Sequence, residues 1–121
     1  MRLLGSLAAL CTLWVAPLWA EDGDGVAFFE SRIRPVLVQH CYECHSSQAD
    51  ELKGGLSLEN AASVVKGGDS GTAVVGGKPD ESLILDALKY DGMEMPPDGK
   101  LPESVIQDFK KWIAMGAPDP R

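Results

Sequence analysis

Apolar residues recur at helical spacing just after an acidic, glycine-rich stretch at 21–25. Residues three and four positions apart share one face of a helix, so this pattern predicts an amphipathic helix. Its buried face would consist of Val26, Phe29, Ile33, Val36 and Leu37. Pro35 interrupts the pattern. Because the residue before a proline avoids the helical region, we expect a break there that lets the segment 36–39 turn.

Two further helices are predicted in the second half of the chain. Asp80 is a suitable N-cap for a helix over 81–89, because its carboxylate can accept hydrogen bonds from free backbone N–H groups. The buried stripe of this helix would be Leu83, Ile84, Ala87 and Leu88. The last helix would open at Pro102 and end at Gly116, since proline and glycine favour those positions. Its apolar face would be Val105, Ile106, Phe109, Trp112 and Ile113.

The stretch 53–79 differs from its neighbours in having glycine pairs and short apolar runs. The runs at 56–58 and 73–75 predict two short strands, and a helical turn is expected between them near 61–65. Together the elements predict an all-α fold class. The domain would be small, with several short helices and a short two-stranded β element in its glycine-rich middle.

Residues 1–20 have the character of a cleavable signal peptide. Arg2 precedes an uncharged, largely apolar run, and Ala20 stands directly before the acidic stretch. The run is short for a membrane span. Leu18 is larger than the small residue preferred at the third position before a cleavage site, so an uncleaved membrane anchor is the alternative. We therefore expect an exported, periplasmic protein whose domain spans 21–121.

Cys41, Cys44 and His45 form the Cys-x-x-Cys-His pattern that attaches c-type haem. Two thiols at this spacing can add to the two vinyl groups of one porphyrin, and the histidine then lies under the iron as proximal ligand. A dithiol of the thioredoxin type is the alternative, but it belongs in a βαβ setting that is not predicted here. Structural zinc needs four ligands, and His40 is the one further cysteine or histidine after residue 20.

The loop at 93–99 offers a second axial ligand for such an iron. A methionine sulfur opposite histidine gives a six-coordinate electron-transfer centre. Met95 is the preferred ligand, because Pro96 and Pro97 would stiffen the chain directly after it. Met93 is the runner-up, and filling of the core is the alternative role for either residue.

Size and charge agree with a small haem protein. The segment 21–121 is enough for one domain, whose own apolar core would be marginal without a bound cofactor. The formal charge is −7, or −8 once Arg2 is removed. This balance argues against a nucleic-acid partner and favours a basic or neutral redox protein as partner.

Beyond the haem motif, several blocks of sequence carry a family resemblance. They are Phe28-Phe29-Glu30, Ile33-Arg34-Pro35-Val36-Leu37, Lys53-Gly54-Gly55-Leu56-Ser57-Leu58, Gly67-Gly68-Asp69-Ser70-Gly71, Gly77-Lys78-Pro79-Asp80-Glu81-Ser82-Leu83, Glu94-Met95-Pro96-Pro97 and Trp112-Ile113-Ala114-Met115-Gly116-Ala117-Pro118. Together they resemble the planctomycete-type cytochrome c domain, over nearly all of 21–121. These blocks are far more specific than the haem motif alone.

The resemblance implies a compact, class-I-like cytochrome c fold, with several short helices around one covalent haem c. Cys41 and Cys44 would be the thioether positions, His45 the proximal ligand and Met95 the matching distal methionine. In this family the domain usually opens a much longer protein, whereas this sequence ends at Arg121. The expected roles are therefore a free carrier, part of a truncated reading frame, or a module that works with a separately encoded larger protein.

Two classes of function follow from a haem site of this kind. The first is electron transfer without a substrate, for which the protein is not an enzyme. The alternative is a haem enzyme or ligand sensor with an open distal site, of the peroxidase-like or gas-binding type. No distal histidine or arginine is evident near Met95, so electron transfer is favoured and no catalytic residues are assigned.

Overall fold

The computed structural model describes residues 20–121, and the predicted signal peptide lies outside them except for Ala20. The helices are α1 (Ala20–Phe28), α2 (Arg34–His40), α3 (Ala61–Lys66), α4 (Leu83–Leu88) and α5 (Glu103–Ala114). A π-helical segment at Phe29–Ile33 joins α1 to α2, and short 3₁₀ turns occur at Lys53–Gly55 and Pro79–Glu81. Within the described part of the chain there is no strand, so the all-α fold class is confirmed.

The predicted break at Pro35 is wrong, because the chain stays helical through α2 up to His40. Proline lacks an N–H, and its ring clashes with the carbonyl four residues earlier in a regular helix. The structure accommodates it with the wider π-helical segment just upstream, where the Arg34 N–H donates to Phe29 O. Pro35 itself lies in the first turn of α2, where a missing N–H costs little.

The core forms where α5 packs against the π-helical segment and α4. The Trp112 ring lies between Phe29, at 5.7 Å between centroids, and Phe109, at 6.0 Å in an edge-on arrangement. Its indole N–H donates to Pro118 O at 2.8 Å, which satisfies the one polar atom of a buried side chain. The predicted stripes of the first and last helices are confirmed, apart from their half-buried members Val26, Val36 and Val105.

The end of α5 is also confirmed. Gly116 has φ +98°, a conformation that glycine adopts without strain. Its N–H donates to Ile113 O, and the Ala117 N–H donates back to Trp112 O at 3.0 Å. These bonds satisfy carbonyls that would otherwise be free at the helix end.

Helix α4 begins at Leu83 rather than at the predicted residue 81, and its N-cap position is Ser82 instead of Asp80. Asp80 lies in the preceding 3₁₀ turn. Ser82 is buried, and its hydroxyl donates to Lys78 O at 2.9 Å and accepts from Val75 N at 2.9 Å. Because this hydroxyl bonds outside the helix, it fixes the loop before α4 instead of capping α4.

The predicted stripe of α4 is only partly correct. Leu85, which the pattern left out, is buried together with Ala87 and Leu88. Leu83 and Ile84 are half-buried and line a cavity. Ala87 and Leu88 line the same cavity, so the helix presents apolar side chains both to the core and to the cavity.

The predicted β element in the glycine-rich middle is wrong. The runs at 56–58 and 73–75 do not pair, because their backbone groups bond elsewhere. Leu58 N donates to His45 O at 2.8 Å, and Ala73 O accepts from Ile84 N at 3.0 Å. Between the runs, the predicted helical turn exists as α3, capped by the Asn60 side chain, which accepts from Ser63 N.

Candidate haem site

A single apolar cavity brings the predicted site residues together. Cys41, Cys44 and His45 line it from the loop after α2, and Met93 and Met95 line it from the loop between α4 and α5. The cavity holds about 1100 Å³ of non-atom space, including the part open to solvent. Most of its remaining wall is apolar, formed by Leu56, Leu58, Ala73, Leu83, Ile84, Ala87, Leu88 and Phe109. Such a wall suits a largely apolar cofactor with a few polar anchoring groups.

The motif loop is held tightly by backbone hydrogen bonds. His45 N donates to Cys41 O at 2.9 Å, which closes the turn between the first cysteine and the histidine. Residues from the following segment then pin this turn: Lys53 N donates to Cys44 O at 3.2 Å and Leu58 N donates to His45 O at 2.8 Å. The segment that would have formed the first predicted strand is therefore used to fix the motif.

His45 is oriented by a backbone carbonyl. Its Nδ1 lies 3.1 Å from Leu56 O. A carbonyl oxygen can only accept, so Nδ1 carries the hydrogen of this bond. In the neutral ring Nε2 then has a free lone pair, the state in which histidine binds metals. The Leu56 carbonyl is a functional group that sequence reasoning missed, since a main-chain oxygen leaves no signal in the residue pattern.

The two cysteines are free thiols and half-buried. Burial, together with the nearby Cys44 thiol, raises the pKa of Cys41 from 9.0 to about 11. A redox-active dithiol needs a lowered thiol pKa, so this environment is unlike a thioredoxin-type site. Among residues 20–121 no cluster of three or more histidine, cysteine, aspartate or glutamate side chains that could hold a metal ion occurs.

Glycines form part of the cavity wall at a close approach of two backbone segments. Gly68 faces Gly54, and a Cβ built on Gly68 would lie 2.4 Å from Gly54 O. The adjacent Asp69 N–H donates to the same carbonyl at 2.8 Å. The missing side chain of Gly68 thus lets two backbone segments pass close to each other.

The loop carrying Met95 is anchored at two points. Met95 N donates to Ala87 O at 3.1 Å, and the Tyr90 hydroxyl donates to the carbonyl of Pro96. Pro96 is buried, whereas the Met95 side chain is 36% exposed and Met93 is half-buried. Tyr90 thus holds the loop beside Met95.

Charged groups are scarce around the cavity. Of the residues that line it, Lys53, the exposed His40 and His45 are the three that can carry positive charge, and none is acidic. Lys53 pairs with Glu51 at 3.3 Å on the surface, a contact worth little in solvent. The cavity wall therefore has no acidic side chain, although the chain has a formal charge of −7.

An all-α domain whose apolar cavity gathers a Cys-x-x-Cys-His motif and a methionine loop has the features of a c-type cytochrome. Residues 41–99 match the family model described as Planctomycete cytochrome C. The resemblance found in the sequence is thereby confirmed over this segment. No curated protein and no solved structure matches the chain. The family match ends before α5, although α5 supplies the aromatic core.

Proposed function

We propose that this protein is an exported electron carrier with one covalent haem c. Cys41 and Cys44 attach the haem, His45 is the proximal iron ligand and Met95 is the distal ligand. The observation that carries the proposal is the convergence of the motif and the methionine loop on one apolar cavity. These two segments are about fifty residues apart in the sequence, so their meeting is a property of the fold.

The residues of the chain have distinct tasks in this proposal. Cys41 and Cys44 would hold the haem covalently, since each thiol could add across one vinyl group, with its sulfur bonding to carbon and its hydrogen completing the addition. The Leu56 carbonyl holds His45 Nδ1 and so directs the Nε2 lone pair toward the metal. The haem, when bound, supplies a one-electron ferric/ferrous couple. Met95 and the apolar wall raise the reduction potential of that couple, since both disfavour the more highly charged ferric state.

The runner-up function is a haem enzyme or ligand sensor with an open distal site, of the peroxidase-like or gas-binding type. One observation favours it: the Met95 side chain is 36% exposed in a loop whose other residues are mostly exposed. Against it, no arginine lines the cavity within residues 20–121, and His40 directly precedes the motif. The site therefore lacks the polar distal groups that assist oxygen or peroxide chemistry, and the carrier is the better supported role.

The location and partners that we propose for the carrier are supported by features of the sequence. We propose export directed by the signal peptide 1–20, with a periplasmic mature domain; an uncleaved membrane anchor is the alternative. None of the helices in the described chain is long and apolar enough to cross a membrane. The excess of acidic residues favours a redox protein partner with a basic or neutral surface, which a separately encoded larger protein can provide, and disfavours nucleic acid.

The ligand assignment is tested by visible and near-infrared spectra of protein made in a host with the c-haem assembly system. We expect a low-spin ferric spectrum with the weak near-infrared band of a thioether–iron bond. Met95→Ala should abolish this band, and the matched control Met93→Ala should keep it. The reverse pattern would assign Met93 as ligand. A high-spin wild-type spectrum that shifts with carbon monoxide would contradict the carrier and support the runner-up.

A further inference from the structure

A buried ion pair lies close to the haem motif. Arg121 Nη2 and Asp119 Oδ2 are 2.6 Å apart, and the two side chains are only 7% and 5% exposed. Asp119 Oδ1 also accepts from Arg121 N at 3.0 Å and from Arg121 Nε at 2.8 Å. Burial lowers the pKa of the Arg121 guanidinium, but the hydrogen bond and charge of Asp119 outweigh it and hold that pKa above its ordinary value. The pair is therefore charged and has several hydrogen-bond partners, as a buried pair must.

The remaining arm of the guanidinium reaches the motif. Arg121 Nη1 donates to the hydroxyl of Tyr42 and to Leu58 O, the latter at 2.7 Å. Tyr42 stands between the two cysteines in the sequence. Leu58 N in turn donates to His45 O at 2.8 Å. One guanidinium thus contacts the motif directly at Tyr42 and reaches its histidine through one intervening residue.

The same guanidinium is tied to the helical core. Its central carbon lies 4.9 Å from the centroid of the Phe29 ring, a stacking contact between a cation and an aromatic face. Phe29 packs against Trp112 of α5. Arg121 therefore joins the rigid core to the loop that carries the cysteines, across 79 positions of sequence in the case of Tyr42.

We propose that Arg121 is a positioning residue for haem attachment and for the His45 ligand. Its forked guanidinium fixes Tyr42 and Leu58, and through them the backbone from Cys41 to His45. The inference rests on the proposed function, because it concerns how the motif is presented to haem. The two-sided contact requires the planar fork of arginine, since a lysine ammonium is a single point of donation.

The two test variants of the holoprotein leave the charges of the Arg121–Asp119 pair in place. Arg121→Lys keeps the positive charge but loses the fork, and Tyr42→Phe keeps the ring but loses the hydroxyl. Lys111→Met is the matched control, because it removes a cation that lies 5.0 Å over another aromatic ring, Phe28. Ile113→Ala is a second control, which destabilises the core without touching the ion pair or the cavity.

Two readouts separate positioning from general stability. The first is amide hydrogen exchange at Leu58, whose N–H bonds to His45 O, relative to Ile84, whose N–H bonds to Ala73 O. The second is the set of paramagnetically shifted NMR signals of the His45 ring. In Arg121→Lys we expect Leu58 to exchange roughly tenfold faster relative to Ile84, with shifted His45 signals. Tyr42→Phe should also accelerate exchange at Leu58 and shift the His45 signals, to a smaller degree. In the double variant, exchange at Leu58 should be only slightly faster than in Arg121→Lys.

Equal acceleration at Leu58 and Ile84, as expected for Ile113→Ala, would overturn the proposal in favour of a purely structural pair. If Arg121→Lys had the wild-type exchange rate at Leu58 and the wild-type His45 signals, the positive charge alone would be sufficient and the proposal would be overturned. These failures are distinct from failure of the proposed function, which would appear as wild-type protein without covalent haem. In that case the exchange of Leu58 relative to Ile84 still reports whether Arg121 holds the motif.

Discussion

The two loops that face the cavity differ in how firmly they are held. The motif loop is bonded through its backbone to the segment that follows it, and its neighbour Ser46 is buried with its hydroxyl on Tyr42 O at 2.6 Å. The loop carrying Met95 is mostly exposed and has its anchors at Ala87 and Tyr90. The histidine side is therefore preorganised by backbone hydrogen bonds, whereas the methionine side is held by fewer bonds.

The largest effect should come from replacing His45, which lies in the firmly held motif loop. In His45→Gln the proximal ligand and the bond to Leu56 O are both lost. We expect almost no low-spin haem protein, because the iron would have no strong ligand on that side. The haem spectrum per purified chain measures this. Met95→Ala is the comparison, and it should retain covalent haem; equal loss in both variants would contradict the difference between the two sides.

A smaller effect is expected from crowding the glycine contact that supports the motif loop. A Cβ in Gly68→Ala would meet Gly54 O at 2.4 Å and Leu56 Cβ at 3.0 Å. Because backbone must move, we expect a loss of about 1–3 kcal/mol in the free energy of unfolding. Urea denaturation measures it. Gly23→Ala is the control, since nothing lies within 4 Å of a Cβ there; similar midpoints for the two variants would contradict the steric account.

Tyr90→Phe should weaken the anchoring of the loop that carries Met95 and leave the motif loop unchanged. The variant removes the hydrogen bond to Pro96 O, worth about 0.5–1.5 kcal/mol. Imidazole should therefore displace the distal ligand of the ferric protein more readily, by roughly 2- to 10-fold in affinity. Spectral titration gives this number. The exchange rate of the Leu58 amide serves as control and should not change; if it rises with imidazole affinity, the loops are not independent.

The smallest effect is a pH dependence on the motif side. The hydroxyl of Ser47 at 2.6 Å, its N–H at 3.1 Å and the charge of Arg121 lower the pKa of Glu59 below 4.5. A lowered pKa in the folded state contributes stability above the unfolded value, and this is lost as pH falls through the folded pKa. Glu59→Gln should therefore flatten the acid limb of the urea midpoint plotted against pH. An unchanged acid limb would contradict this contribution.

The sequence predicted the structure correctly where particular residue types at a fixed spacing determine the local conformation or chemistry. The stripe of α5 and its end at Gly116 follow from helical periodicity and from the freedom of glycine at positive φ. The cavity location of Cys41, Cys44, His45 and Met95 was predictable because each belongs to a short motif with its own chemistry. Patterns of this kind involve residues that are close together in the chain, so they can be recognised from the sequence alone.

Tertiary contacts decided the features that the sequence did not reveal. Ser82 replaces Asp80 at the start of α4 because its hydroxyl bonds to Lys78 and Val75. The β-prone run at 56–58 does not pair as a strand because its carbonyl and N–H groups hold His45. Arg121 and Tyr42 are 79 positions apart, so their contact cannot be recognised from the local periodicity of the sequence.

The central claim is covalent attachment of one haem at Cys41 and Cys44. Its most direct test is the intact mass of the denatured protein, made with the c-haem assembly system, beside the double variant Cys41→Ser/Cys44→Ser. We expect the mass of chain 21–121 plus one haem for the wild type, and the mass of the chain alone for the variant. A wild-type mass without haem, or a variant mass that still includes it, would contradict the claim.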